Sequence, residues 1–368
     1  HDRDVSGVED DVLLLAYLLN PVRRNYFVDD IALEQLGISI QRADPNQLMP
    51  EASSDPSLDA WLAIVLASPM KDKVEKEGSL SVYKEIELPS SVSLSGMEHQ
   101  GITIETAKLT KLFDTLTTEV STIAKQAYEI IGREVNLASP KQLQAVLFDE
   151  LGMTGTKSLK TGFSTNAAAL TELYELNGHP FLEKLLAHRD STKLKQMVET
   201  LLKAVEDDSK IHTTYVQTGT STGRLSSENP NLQNIPIRNP RGAEIRDAFI
   251  ASEGFETLLT ADYSQIEMRI MAHLSEDPGL VESFIKGEDL HRFVGSRIFG
   301  VEPSEVTPEM RAQVKAMSYG LVYGLSEYGL AKQLGLSNAD AKQLMKDYFE
   351  RFGGCLLYTS PSPRDRTR

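Results

Sequence analysis

The stretch TADYSQIEMRIMAHL, residues 260–274, is the part of this chain that decides how the rest is interpreted. The apolar segment before it, Thr257 to Thr260, predicts a short strand that ends close to Asp262. After a turn, the apolar spacing predicts an amphipathic helix that carries further polar side chains. Those side chains are Gln265, Glu267 and Arg269. A carboxylate at a strand tip is a common ligand of hard divalent metals, but many such Asp residues only cap the next helix.

Length and composition are those of a soluble globular protein with more than one core. The 368 residues are 40% hydrophobic and 25% charged, so we expect two or three subdomains. No uninterrupted apolar run is long enough to predict a membrane span, and the acidic N-terminus does not resemble a secretory signal. The single cysteine, Cys355, argues against a disulfide framework and a cysteine zinc site. We therefore expect a cytoplasmic protein, and the start at His1 rather than Met predicts that it begins within a longer one.

The net charge of −15 argues at first against a nucleic-acid partner. Nucleic-acid binding depends, however, on where the basic residues lie rather than on the total. Basic residues are concentrated in three segments, at 189–195, 238–246 and 311–315. The overall charge therefore leaves a nucleic-acid role open.

Residues 212–238, HTTYVQTGTSTGRLSSENPNLQNIPIR, are too polar for core strands and rich in turn-forming pairs. Four of their side chains carry planar donors and acceptors suited to phosphates and base edges: Arg224, Asn231, Gln233 and Asn234. The alternative is an ordinary surface loop with Asn-Pro turns.

Residues 309–331, EMRAQVKAMSYGLVYGLSEYGLA, contain a basic or aromatic residue at every fourth position from 311 to 323. The series is Arg311, Lys315, Tyr319 and Tyr323. On a helix, the first three share one face, where two cations and an aromatic ring could grip a triphosphate and stack on its base or sugar. The alternative is an ordinary helix with a basic edge. The glycines Gly320 and Gly324 weaken a helix and favour close approach of another group.

In this order and spacing, the motifs TGRLSS…PNLQNIP, DYSQIEMR and RxxxKxxxYGxxYG resemble those of family A DNA polymerases. The resemblance is to the Klenow-type part of the bacterial DNA polymerase I group, and it extends over about residues 1 to 354. NLASPKQL (136–143) and KTGFST (160–165) are similar to the thumb of that family. MSYG, with Tyr319 where many members have Phe, resembles the actinobacterial branch.

The resemblance implies a two-metal nucleotidyl transfer from a dNTP to a primer 3′-hydroxyl. Asp262 and the backbone carbonyl of Tyr263 would bind Mg²⁺, of which the family site holds two ions. The implied nucleotide contacts are Arg311, Lys315 and His291 for the triphosphate, Glu267 under the sugar, Tyr319 stacked on the nucleotide and Tyr323 beside the templating base. The resemblance also implies that Asp262 and Lys315 are the catalytic residues. The implied partners are dNTPs and primer–template DNA, with no membrane and with the chain as a monomer.

The primer–template is expected to contact both polar blocks. The residues are Arg224, Asn231, Gln233, Asn234, Gln265 and Arg269.

The implied architecture is an α+β multidomain protein. Its parts are a degenerate 3′–5′ exonuclease-like remnant (1–88), a helical thumb (89–208), a partial antiparallel palm (209–277), partial helical fingers (278–354) and a non-native tail (355–368). Helices are predicted over 105–135 and after the Ser-Pro pair that starts SPKQLQAVLFDELG.

Two departures from the family pattern limit what the resemblance implies. Asp11 lies where an exonuclease ligand would fall but has no Tyr-x-x-x-Asp partner motif in SSDPSLDAWLAIVLA, so we expect it to be a surface or N-cap residue and expect no exonuclease activity. The second catalytic carboxylate motif of the family is not reached before residue 354. We therefore expect the 368-residue chain to be inactive. An inactive DNA-binding fragment and a helical interaction protein remain as alternatives.

Overall fold

The computed structural model describes residues 9–40, 56–154, 158–159, 162–236, 240–287, 289–322 and 324–354. The predicted tail at 355–368 and Tyr323 lie outside these ranges. The chain divides into two compact units, His1–Leu258 and Leu259–Arg368. None of the helices in the described ranges combines the length and apolar character that a membrane crossing needs.

The first helices of unit 1 pack around Leu15, Leu62, Leu66 and Tyr83, all fully buried. They are α1 (Val12–Leu19), α2 (Val28–Leu36), α3 (Pro56–Lys76), α4 (Leu80–Val82), a π-helical turn (Tyr83–Glu87) and α5 (Leu88–Gln100). The carboxylate of Asp11 accepts hydrogen bonds from the first backbone N–H groups of α1, which confirms the N-cap prediction.

The helices that follow in unit 1 are α6 (Thr106–Ile131), α7 (Pro140–Gln144), a π-helical turn (Ala145–Glu150), α8 (Ala167–Asn177), α9 (Pro180–Lys203) and α10 (Pro240–Arg246). The predicted helix over 105–135 is confirmed as α6, which packs along α9. Ser139 caps α7 through its hydroxyl and Pro140 takes the first helical position, as the Ser-Pro pair predicts. Two apolar clusters form, one around Leu116 and Val198 and the other around Leu147 and Phe181.

The strands of unit 1 are short and pair antiparallel. They are β1 (Ile102–Thr103), β2 (Ser158–Leu159), β3 (Gly162–Phe163), β4 (Lys210–Ile211), β5 (Thr214–Val216) and β6 (Ser226–Glu228). β1 pairs with β4, β2 with β3, and β5 with β6. The chain is thus helix-rich with antiparallel pairs, and the named subdomain boundaries remain predictions.

Unit 2 is helical throughout its ordered elements. They are α11 (Ile266–Ser275), α12 (Pro278–Ile285), α13 (Leu290–Phe299), a 3₁₀ turn (Pro303–Glu305), α14 (Pro308–Val322), α15 (Glu327–Leu334) and α16 (Asn338–Arg351). Their core is built around Met268, Val314, Met317 and Leu330.

The predicted strand over Thr257 to Thr260 is wrong: residues 257–263 form neither strand nor helix. A strand needs a neighbour to satisfy its backbone groups, and no described residue pairs with this segment. Its side chains are also not covered, since Leu258 is 46% exposed and Leu259 is 90% exposed. Apolar composition alone does not make a strand without a paired edge.

Candidate functional site

A cluster between α13 and α14 unites four of the residues that the sequence singled out. Arg311, Lys315 and Tyr319 lie on one face of α14, as their spacing predicts. The Lys315 ammonium lies 5.8 Å from the centroid of the Tyr319 ring. His291, in the first turn of α13, lies with its ring centroid 6.1 Å from that of Tyr319. Two cations, an imidazole and a phenol ring therefore converge.

His291 is the most constrained member of this cluster. It is only 1% exposed, and neither ring nitrogen has a hydrogen-bonding partner among the described residues. Burial, followed by the positive charge of Arg311, lowers its pKa to about 4, although Asp289 opposes the shift. The imidazole is therefore neutral at pH 7, with one donor and one acceptor that no described residue pairs.

Asp289 organises the cluster and was missed at the level of sequence. Its Oδ1 accepts from the backbone N–H groups of His291 and Arg292, so it caps α13. Its Oδ2 accepts from Nε of Arg311 at 2.8 Å. Burial alone would raise the pKa of Asp289, but the hydrogen bonds from Arg311 and the Arg292 amide outweigh it and lower the pKa. The signal that could have found it is an Asp just before a helix.

Contacts and backbone conformation within the chain explain why residues 320 and 324 are glycines. A Cβ on Gly320 would meet the side chain of Leu325 at 2.8 Å, so the close approach there is made by Leu325. Gly324 follows α14 with a φ of +83°, a conformation that favours glycine. The glycines therefore shape the end of α14.

The start of α11 presents the next group of predicted residues. Gln265 precedes α11 with a φ of +55°, and its Oε1 is buried without a partner in the described part of the chain. Arg269 donates from Nε to the carbonyl of Ser264 at 3.0 Å and stacks over Phe284. Glu267 is partly buried. Arg269 thus supports the turn before α11 from within unit 2.

Asp262 and Tyr263 lie on the irregular segment before α11, and both are exposed. Asp262 is not the cap of α11, because Gln265 holds that position, so the helix-cap alternative is wrong. Across the described ranges, no group of three or more His, Cys, Asp or Glu side chains could hold a metal ion. One exposed carboxylate with a neighbouring carbonyl does not fit a divalent cation by itself, since such ions take about six or more oxygen ligands.

Side-chain hydrogen bonds to the backbone hold the loop after β6 in shape. The side-chain oxygen of Asn231 accepts from the backbone N–H groups of Gln233 and Asn234, and Gln233 donates from Nε2 to the carbonyl of Leu225 at 3.0 Å. Asn231 thus acts on the backbone of its own turn. Arg224 and Asn234 are exposed.

A buried pair of hydroxyls, also missed by sequence reasoning, holds this loop. Thr213 and Ser227 are 4% and 1% exposed, and their hydroxyl oxygens lie 2.8 Å apart. The Thr213 hydroxyl is also 2.8 Å from the carbonyl oxygen of Pro230, and the Ser227 hydroxyl accepts from the N–H of Leu232. Nothing in the local pattern distinguishes these hydroxyls from exposed ones.

Comparison with known proteins gives consistent results. The family model for DNA polymerase family A matches residues 106–364. DNA polymerase I of Mycobacterium tuberculosis (strain H37Rv) is 49% identical over 364 residues, which is 96% of this chain and 40% of that protein. DNA polymerase I of Bacillus caldotenax is 39% identical over 373 residues, which is 96% of this chain and 42% of that protein.

A solved structure is also similar. It is the POL domain of Pol1 from M. smegmatis in complex with DNA primer-template and dNTP, with a TM-score of 0.85 and 51% identity over 95% of this chain and 60% of that one. The chain thus spans about 40% of the length of the curated relatives. The predicted resemblance is confirmed: this chain belongs to DNA polymerase family A.

Proposed function

We propose that this chain is part of a template-directed DNA polymerase that acts in DNA replication or repair. The reaction is in-line attack of a primer 3′-hydroxyl on the α-phosphorus of a dNTP, which forms a phosphodiester and releases pyrophosphate. The observation that carries the proposal is the convergence of His291, Arg311, Lys315 and Tyr319 between α13 and α14. Family membership supports it independently.

The chemistry of this cluster suits a nucleoside triphosphate. The guanidinium of Arg311 and the ammonium of Lys315 offer fixed positive charge to the phosphates. His291, neutral at pH 7, donates a hydrogen bond without adding a further charge. Tyr319 provides the ring on which the base or sugar stacks. Glu267 is assigned to the sugar and Tyr323 to the templating base.

The primer–template is assigned to the polar loop, residues 217–236, and to the start of α11. The residues proposed to reach the DNA are the exposed Arg224, Asn231, Gln233 and Asn234, with Gln265 and Arg269. Asn231 and Gln233 shape the loop through the hydrogen bonds to its backbone.

Family A DNA polymerases use divalent metal ions, and we propose Mg²⁺ for this one. When bound, such ions stabilise charge on the attacking and leaving oxygens. Asp262 and the carbonyl of Tyr263 are proposed as ligands. The described residues do not by themselves complete a cation site.

The isolated 368-residue chain has a second candidate function, that of a DNA-binding protein that does not extend a primer. The incomplete cation site among the described residues favours it. The third candidate, a helical interaction protein, draws support only from the net charge of −15. The polymerase proposal also implies a monomer located with DNA in the cytoplasm.

Primer extension and binding separate these candidates. The purified chain is mixed with primer–template, four dNTPs and Mg²⁺, with Asp262→Ala as control. Binding without extension is the expected result, and extension that the control abolishes would refute the expected inactivity. A chain with no salt-dependent affinity for primer–template would refute the polymerase proposal, because phosphate contacts impose that dependence.

The triphosphate assignment has its own test in equilibrium dialysis with a labelled dNTP. Lys315→Ala is expected to weaken binding about tenfold, because it removes a charged hydrogen bond. Lys332→Ala, the same change on an exposed position of α15, is expected to leave binding unchanged. Equal affinities in the two variants would rule out the role of Lys315.

A further inference from the structure

The N-terminal helices contact the polar loop directly, at the turn between β5 and β6. The two residues in contact, Tyr17 and Gly223, are 206 positions apart in sequence. The hydroxyl oxygen of Tyr17, in α1, accepts a hydrogen bond from the backbone N–H of Gly223 at 2.9 Å. Tyr17 is 3% exposed and packs edge-on against Tyr26. Both groups belong to unit 1.

The turn that Tyr17 contacts carries Arg224, a residue assigned to DNA. Gly223 has a φ of +81°, so this position gains its conformation from the absence of a side chain. On the other side, the Thr220 hydroxyl donates to the carbonyl of Arg224 at 2.7 Å. The amide that precedes Arg224 and the carbonyl of Arg224 are therefore both held, while its side chain is exposed.

Further side-chain hydrogen bonds join the same hairpin to the N-terminal helices. Gln217 donates from Nε2 to the carbonyl of Glu87 at 2.9 Å, and the N–H of Tyr215 donates to the carboxylate of Glu98 at 2.7 Å. These contacts hold β5 and the residue that follows it, while Tyr17 contacts the turn between β5 and β6. Of the contacts that come from the N-terminal helices, the one from Tyr17 lies next to Arg224 in sequence, so it is the one expected to affect how the Arg224 side chain is presented.

We propose that Tyr17 is a positioning residue for Arg224, and that the N-terminal helices hold the polar loop in the conformation that binds primer–template. This inference rests on the proposed DNA-binding function of that loop. The N-terminal helices would then have a structural role that does not require exonuclease activity. A flexible Gly-containing turn that is held before binding loses less conformational freedom when DNA arrives.

The direct test is Tyr17→Phe, which removes one oxygen and keeps the ring. Without DNA, amide hydrogen exchange at Gly223 is expected to become about fivefold faster, the equivalent of one ordinary hydrogen bond. Primer–template affinity, followed by fluorescence anisotropy, is expected to weaken about threefold. The matched control is Tyr26→Phe, which removes a hydroxyl that donates to the carbonyl of Asn20 in the same cluster. It is expected to change neither readout.

A double-mutant cycle separates positioning from general stability. In an Arg224→Ala background, Tyr17→Phe is expected to cause no further loss of affinity, because the side chain it positions is gone. The same loss in both backgrounds, or unchanged exchange at Gly223, would overturn the inference. A wild-type chain that binds no primer–template would refute the proposed function and the positioning role together. Wild-type binding with an unaffected Tyr17→Phe variant would refute only the latter.

Discussion

The stability of unit 2 should fall in acid because of His291, and the structure gives the size of the effect. The ring is buried beside Arg311 and Lys315, and its pKa is lowered from 6.5 to about 4. Below pH 6.5 the unfolded chain takes up a proton that the folded chain refuses until about pH 4. The folded state therefore loses stability as pH falls through this window. Moving a pKa from 6.5 to about 4 corresponds to about 3 kcal/mol.

The measurement is urea unfolding at pH 7, 6, 5 and 4 for the wild type and for His291→Gln. Because glutamine does not titrate, the difference between the two free energies of unfolding isolates this one group. The variant is expected to gain about 3 kcal/mol relative to the wild type between pH 7 and pH 4.

His212 provides a control of opposite sign. Its ring contacts the carbonyl of Glu98 and the carboxylate of Asp208, and the Glu98 contact is the first cause of its raised pKa, with Asp208 adding to it. A raised pKa in the folded state contributes stability below pH 6.5 that is lost as pH rises. His212→Gln should therefore lose stability relative to the wild type as pH falls. A pH-independent difference for His291→Gln would refute the burial argument.

Two further predictions concern residues that hold the site in shape, both measured by urea unfolding at pH 7. Asp289→Ala is expected to lower the free energy of unfolding by about 1–2 kcal/mol, because it removes a helix cap and a partly exposed ion pair with Arg311. Asp289→Asn keeps a capping oxygen and should cost less than half as much, so equal costs would contradict the capping role. Thr213→Val should cost about 1–3 kcal/mol, because it removes the buried hydroxyl that contacts the Pro230 carbonyl. The same change at the exposed Thr118 should stay within about 0.5 kcal/mol, and a matching loss there would contradict the burial argument.

Several features of both units could be predicted because their signals are local. A residue at every fourth position of a helix must share a face, so the alignment of Arg311, Lys315 and Tyr319 needs no knowledge of the fold. The N-cap roles of Asp11 and Ser139 are equally local, since the cap bonds groups two or three residues away.

The failures came where an element depends on distant groups. The segment at 257–260 has strand composition, yet a strand exists only if another backbone pairs with it, and no described residue does. The sequence predicts a close approach at Gly320, but only the fold shows that the approaching group is Leu325 of the same chain.

The sequence by itself determined the family, the helix-rich character and the residues that α14 presents on one face. Only the tertiary structure decided that His291 is buried and neutral, that Asp289 joins α13 to Arg311, and that Tyr17 holds the turn of Arg224. The physical reason is the range of the interactions. Periodicity and capping act within a few residues, whereas burial, pKa and long-range hydrogen bonds depend on which segments the packing brings together.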